Sequence, residues 1–241
     1  MTTTTLEQSM LSYHNDPLVK AKYIARFAAH RAADEVIQGQ GFSGGRGCFV
    51  GRTLDAYDHS RFPTELGWPE WLAYLADAIF EGLPTTEAAQ FGTDLLEAMP
   101  VGVNLKTVKN KFLLALQLRN LARITRAKIT GAKVCIAAIK SVIELLAKDV
   151  EPQSTAWAVA GSAAKSAAAK SAAAWSAAAW SAAESAAQSA AQSAARSASQ
   201  AARSAARSAG YAGATGFSDF APTQEYQMQR DDLLALLKDC K

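Results

Sequence analysis

The chain has 241 residues, 49% of them hydrophobic, which suits a compact domain carrying an appendage. Its formal net charge of +3 is too small to draw nucleic acid or a membrane surface by bulk attraction, so neither partner is expected. MTTTTLEQSM lacks the basic start and apolar run of a secretory signal, and no stretch is long and apolar enough to span a bilayer, so a cytoplasmic setting is expected.

Asp16 and Pro17 supply a capping side chain and a proline at the first helical position. The helix they start is expected to run to about Gln38, with Val19, Tyr23, Phe27, His30 and Ile37 at helical spacing. GQGFSGGRGCFVG, from Gly39 to Gly51, is too glycine-rich for regular structure and reads as a loop that comes close to something. Pro69 to Gly82 reads as a second helix with Trp71, Leu72, Leu75, Ile79 and Phe80 on its apolar face. Thr85 or Thr86 caps the next, which holds Phe91, Leu95, Leu96 and Met99. Asn104 caps LKTVKNKFLLALQLRNLARIT, apolar on most sides in its middle and so expected at the centre of a bundle. A further helix, AKVCIAAIKSVIELLAKD, follows Gly131, and Pro152 closes that block. No segment alternates with the period of a strand, so the fold class is all-α.

From Ser162 to Ala209 the chain repeats serine, alanines and one larger residue, with neither glycine nor proline. Alanine has the best helix propensity. As one helix this stretch would be roughly 70 Å long, so it must project, bend round the body or meet another chain. Four residues advance ~40° beyond a full turn, so a strict four-residue repeat drifts round a helix. Small side chains let another backbone approach closely, which predicts self-packing or a homo-oligomer built on this segment. Gly210, Gly213 and Gly216 should stop it. An amphipathic helix with Leu233, Leu234, Leu236 and Leu237 follows Pro222. The implied domains are 1–152, a helical body with its glycine loop, then 153–209, the repeat, and 210–241, a linker with the last helix.

Candidate chemistry gathers round the loop. GQGFSG matches the dinucleotide pattern GxGxxG, but it follows a helix where that fingerprint needs a strand, so a Rossmann reading fails. Backbone N–H groups at Gly44, Gly45 and Gly47, with Arg46 and Arg52 alongside, can still hold phosphate or carboxylate oxygens. Cys48 with His59 supplies the residue types of a thiol nucleophile and its base, with Asp55, Asp58 and Glu65 nearby as orienting groups. His30 and Asp34, one turn apart, are a second possible oriented imidazole. No metal or cofactor is expected. The spacing of His14, His30 and His59 supports no metal set, and Cys48, Cys135 and Cys240 lack the spacing of a zinc site or a disulfide framework.

Charge is segregated. Asp55 to Glu97 holds nine acidic residues and one basic, Arg61, whereas Lys106 to Lys140 holds nine basic residues and no acidic ones. Arg119, Arg123 and Arg126 share a helical face. The two blocks can neutralise each other across a bundle, or Arg119 and Arg123 can join the glycine loop in a pocket for an anion.

GRGCFVGRTLDAYDHSRFPTELGWPEWLAYLADAIFEGLP, continuing through FGTDLLEAMPVGVNL to the Ser-Ala-Ala array, resembles a group of uncharacterised bacterial and phage proteins. Its recognisable words are G-x-G-C-x-V-G, a histidine, E-L-G-x-P and I-F-E-G-L-P. The resemblance implies a setting in host–virus conflict, as a protein that captures a nucleotide signal or blocks a partner. The leading expectation is a binding protein for a small anionic ligand, with a nucleotide as first candidate. A hydrolase using Cys48 and His59 is the alternative, and a structural or interaction module built on the alanine-rich segment is the third.

Overall fold

The computed structural model describes residues 10–126, 132–150, 155–173, 177–190, 196–214 and 221–240. Among these the all-α expectation holds, with eleven α-helices and a two-residue β-hairpin. No helix among the described residues is long and apolar enough to cross a membrane. Contacts divide the chain into two compact units, Met1–Lys109 with Arg230–Lys241, and Asn110–Gln229.

In the first unit, α1 (Pro17–Ala32) opens as its sequence requires. Pro17 takes the first helical position, and Asp16 accepts the Leu18 N–H at 2.8 Å. The helix ends well before Gln38, because Asp34 adopts a left-handed φ of 54° and turns the chain out. Beyond it, Val36 bridges to Gly47, and the Ile37 N–H donates to Gly47 O at 2.8 Å. Tertiary pairing has thus captured residues whose spacing alone suited a helix. The glycine segment is more regular than a bare loop. β1 (Phe42–Ser43) and β2 (Arg46–Gly47) pair antiparallel through Gly44 and Gly45, whose φ values of +57° and +76° suit a two-residue hairpin turn.

Two short helices, α2 (Phe49–Leu54) and α3 (Phe62–Leu66), precede α4 (Glu70–Gly82) and α5 (Thr85–Ala98). Thr85 and Thr86 lie inside α5, and Pro84 takes the cap position. A string of aromatic rings holds the unit together. Phe27 meets Phe49 at 5.7 Å, Phe49 meets Phe62 at 6.1 Å, Phe62 meets Trp68 at 5.9 Å, and Trp68 meets Tyr13 at 5.6 Å, all tilted or edge-on and all buried. The helix α6 (Lys106–Arg126) opens with the Lys106 N–H donating to Asn104 Oδ1 at 2.8 Å, as the sequence predicts.

The second unit contains most of α6 together with α7 (Lys133–Ala147), α8 (Thr155–Ala173), α9 (Ala177–Ala190), α10 (Ser197–Ala214) and the start of α11 (Pro222–Lys238). The repeat is therefore carried by three helices, not by one rod. Of these α9 packs with Cα atoms within 8 Å against α7, α8 and α10. Alanine makes such closeness possible; Ala182, Ala186, Ala198, Ala201, Ala202, Ala205 and Ala209 are fully buried. Short helices also answer the drift of the four-residue period. Ser181, Ser185 and Ser189 turn by roughly 80° in total along α9, which stays within a stripe of about 100°, and all three are buried. Helix α10 runs through Gly210 and Gly213 to Ala214, since flanking helix formers and packing override a cost of ~1 kcal/mol per glycine. Gly131, Pro152 and Gly216 lie outside the described residues.

Buried methyl groups contribute only ~0.8 kcal/mol each, so polar ties carry much of the specificity here. Ser185 Oγ donates to Ala201 O at 2.9 Å and accepts from Gln117 Nε2 at 2.9 Å and Asn120 Nδ2 at 3.2 Å. Gln229 Nε2 reaches Ala202 O at 3.1 Å.

Candidate functional site

The glycine segment builds a seat for Cys48. Its N–H donates to Gln40 O at 2.8 Å, and Gly47 and Gly51 both press against the Gly41 carbonyl, where a Cβ on either would collide with backbone oxygen. Two glycines of the G-x-G-C-x-V-G word thus serve close approach, and Gly45 serves the turn.

Helix α4 supplies the facing groups. Asp77 is 3% exposed in a helix otherwise packed with Trp71, Leu72, Leu75, Ile79 and Phe80, and Glu81 follows one turn later. Cys48 Sγ and one oxygen from each of Asp77 and Glu81 all lie within 4.8 Å of one another. Asp77 Oδ2 accepts from His59 Nε2 at 3.3 Å and from the Tyr57 hydroxyl at 3.2 Å. The His59 ring stacks on Tyr74 at 4.0 Å and 11° and meets Tyr57 edge-on at 5.0 Å. With Oδ2 held by two donors, Asp77 Oδ1 is buried without a hydrogen-bond partner. Glu81 Oε2 accepts the Gly39 N–H at 2.8 Å, and Gln38 Nε2 donates to Phe80 O and Leu83 O, so loop and helix end are stitched together.

Burial pushes the Cys48 thiol well above its ordinary range, and the Asp77 carboxylate adds to the rise. N–H groups of Gly51 and Val50 oppose it only in part. The thiol is therefore protonated at neutral pH. Tyr57 is pushed up to about 12 by burial and by the charges of Asp77 and Cys48.

The other predicted site residues have separate surroundings. Gly44 and Gly45 form the hairpin tip, and Arg46 is exposed with its guanidinium on Asp34 O at 3.2 Å. Arg52 is buried, pairs with Glu35 at 2.7 Å and Asp55 at 3.3 Å, and also touches His30. His30 bonds Glu35 at 2.7 Å and Asp55 at 3.1 Å, so its partner is Glu35 where spacing suggested Asp34; the left-handed turn at Asp34 swings Glu35 back to the ring. In the second unit Arg119 and Arg123 close on Glu225, which is fully buried. Their acidic partner comes from the last helix and not from the block at 55–97.

Three segments distant in sequence thus meet at Asp77: the hairpin with Cys48, the turn with His59, and the I-F-E-G-L-P word with Glu81. Residue type singles out Cys48 and His59 in the sequence but passes over Asp77 and Glu81. The available signal was a carboxylate set among apolar residues on both sides in LAYLADAIFEG, with a second one four positions on. No protein-family model matches the chain, and searches among curated proteins and solved structures return no match.

Proposed function

We propose that the chain is a binding protein whose ligand is taken up at the Cys48–His59–Asp77–Glu81 cluster of the first unit, with the cytoplasm as its setting. The observation that carries this reading is Asp77, a buried carboxylate with one oxygen lacking a partner, beside a second carboxylate and a thiol. Burying a carboxylate with incomplete compensation costs several kcal/mol, and groups of this kind concentrate at functional sites. Binding remains the activity, but the contact lies at this cluster and not on the basic face, because Arg52, Arg119 and Arg123 are each engaged by carboxylates of the chain itself. Binding is also favoured over a cysteine-dependent hydrolase. Cys48 is 1% exposed, and Asp77 beside it keeps the sulfur protonated, the reverse of what a nucleophile needs.

A site held at the expense of stability makes a direct prediction for Asp77→Asn. The amide keeps the acceptor for Tyr57 and His59 and turns an N–H₂ toward Glu81 and Cys48. It should raise the unfolding free energy of the ligand-free protein by ~0.5–2 kcal/mol, measured by urea unfolding. A loss of similar size would show the carboxylate to be a structural tie and end the proposal.

A further inference from the structure

The donors at this cluster identify a class of ligand, and the inference rests on the binding reading above. We propose that Cys48, Asp77 and Glu81 form a site for a divalent transition-metal ion of the zinc class, with His59 and Tyr57 positioning the Asp77 carboxylate. A tetrahedral zinc holds a thiolate at ~2.3 Å and a carboxylate oxygen at ~2.0–2.2 Å, which sets donors roughly 3.5 Å apart. The three donor atoms already lie within 4.8 Å of one another, so small rotations of the side chains would close the set.

Three further observations fit a cation and not an organic ligand. Asp77 Oδ1 is the buried oxygen without a partner, whereas Oδ2 is fixed by the His59 N–H and the Tyr57 hydroxyl. This is how an outer shell aims a ligating carboxylate. Two carboxylates and a sulfur converge where Asp77 and Glu81 meet a tyrosine, an imidazole and the Gly39 N–H, donors that are neutral or weakly charged. A thiol in the set selects borderline or soft ions, since hard magnesium and calcium take oxygen donors. On binding, the sulfur–metal bond forms as the S–H bond breaks, and the proton leaves to solvent. The ion itself supplies the charge that burial and Asp77 otherwise deny the thiolate.

The test is cobalt(II) titrated into the reduced full chain. A thiolate-to-cobalt charge-transfer band saturating at one equivalent, with one proton released and with displacement by zinc, is the expected result. Cys48→Ser should remove the band and weaken binding at least ~10-fold. His59→Gln leaves all three donors in place and should keep the band while weakening affinity ~10–100-fold, so it carries the test if Cys48→Ser fails to fold. Cys135→Ser and Cys240→Ser should change neither. A folded chain without the band, a band that survives Cys48→Ser, or equal binding of magnesium would overturn the proposal. Absence of the band alongside a stabilising Asp77→Asn would reject the metal and leave the cluster as a site for another ligand. Absence of the band with a destabilising Asp77→Asn would reject both readings.

Discussion

Replacing Glu225 by alanine should cost the second unit ~3–5 kcal/mol, and the size follows from what the carboxylate holds. Glu225 Oε1 accepts from Arg119 at 3.0 and 3.3 Å and from Gln229 Nε2 at 3.0 Å, while Oε2 takes the Arg123 guanidinium. Glu225 is 1% exposed in its side chain, Arg123 6% and Arg119 21%. Arg119 can swing its charge toward water when the partner is removed. Arg123 cannot, and an uncompensated buried guanidinium is what makes breaking such a pair expensive, whereas the intact pair contributes little net stability over apolar packing. The prediction is therefore asymmetric. Glu225→Ala should be severe, and Glu225→Leu combined with Arg123→Met should recover most of the loss. The assay is urea unfolding by circular dichroism, with hydrogen exchange of α10 amides to localise the effect. A loss below ~1 kcal/mol for Glu225→Ala, or a double variant no better than the single one, would refute the reasoning.

Three further outcomes are expected. Gly51→Ala should lose ~1–3 kcal/mol, because its Cβ meets the Gly41 backbone oxygen. Gly44→Ala meets nothing within 4 Å and should lose only ~1 kcal/mol from its positive φ; thermal unfolding of the two variants side by side checks the order. Glu65 should contribute to acid sensitivity. Burial raises its carboxyl, but hydrogen bonds from Tyr23 and Arg61, with the Arg61 charge, outweigh this and hold it below its ordinary 4.5. Its stabilisation is thus present above that value and lost as pH falls through the lower folded one. Wild type should accordingly lose more stability than Glu65→Gln on acidification from about pH 5 to pH 3, measured by urea titration at each pH. Ser185→Ala strands the amide donors of Gln117 and Asn120 and should cost roughly 1–3 kcal/mol. Ser166→Ala, at an exposed position of the same repeat, should stay within ~0.5 kcal/mol; urea unfolding of both serine variants checks the contrast.

Helix type and order are legible in the residues because the signals are local. Asp16–Pro17, Asn104 and the spacing of Trp71, Leu75 and Ile79 each specify a start or a face without reference to the rest of the chain. Where α1 ends is not local. Gly47, arriving from the hairpin, claims Glu35 and Ile37 by backbone pairing, and nothing near Gln38 announces it. The candidate site shows the same limit. Cys48 and His59 stand out by residue type. Asp77 reads as one more acid in an acidic block until α4 turns it inward against Cys48, and the basic face is misjudged because its partner, Glu225, lies about a hundred positions away. The repeat misleads in another way. Uniform propensity suggests a single rod, and only the packing of α8, α9 and α10 on one another divides it.

That division has a consequence for how such a chain can change length. Inserting or deleting one residue in a helix rotates everything beyond it by about 100°, which would carry buried alanines into water and charged residues into the bundle. Gaining or losing one four-residue unit rotates the remainder of the helix by only ~40° and replaces serine and alanine by serine and alanine. Helices α8, α9 and α10 can therefore grow or shrink by whole repeats without surrendering their contacts, so that a bundle of this composition tolerates slippage during copying that would unfold an ordinary core.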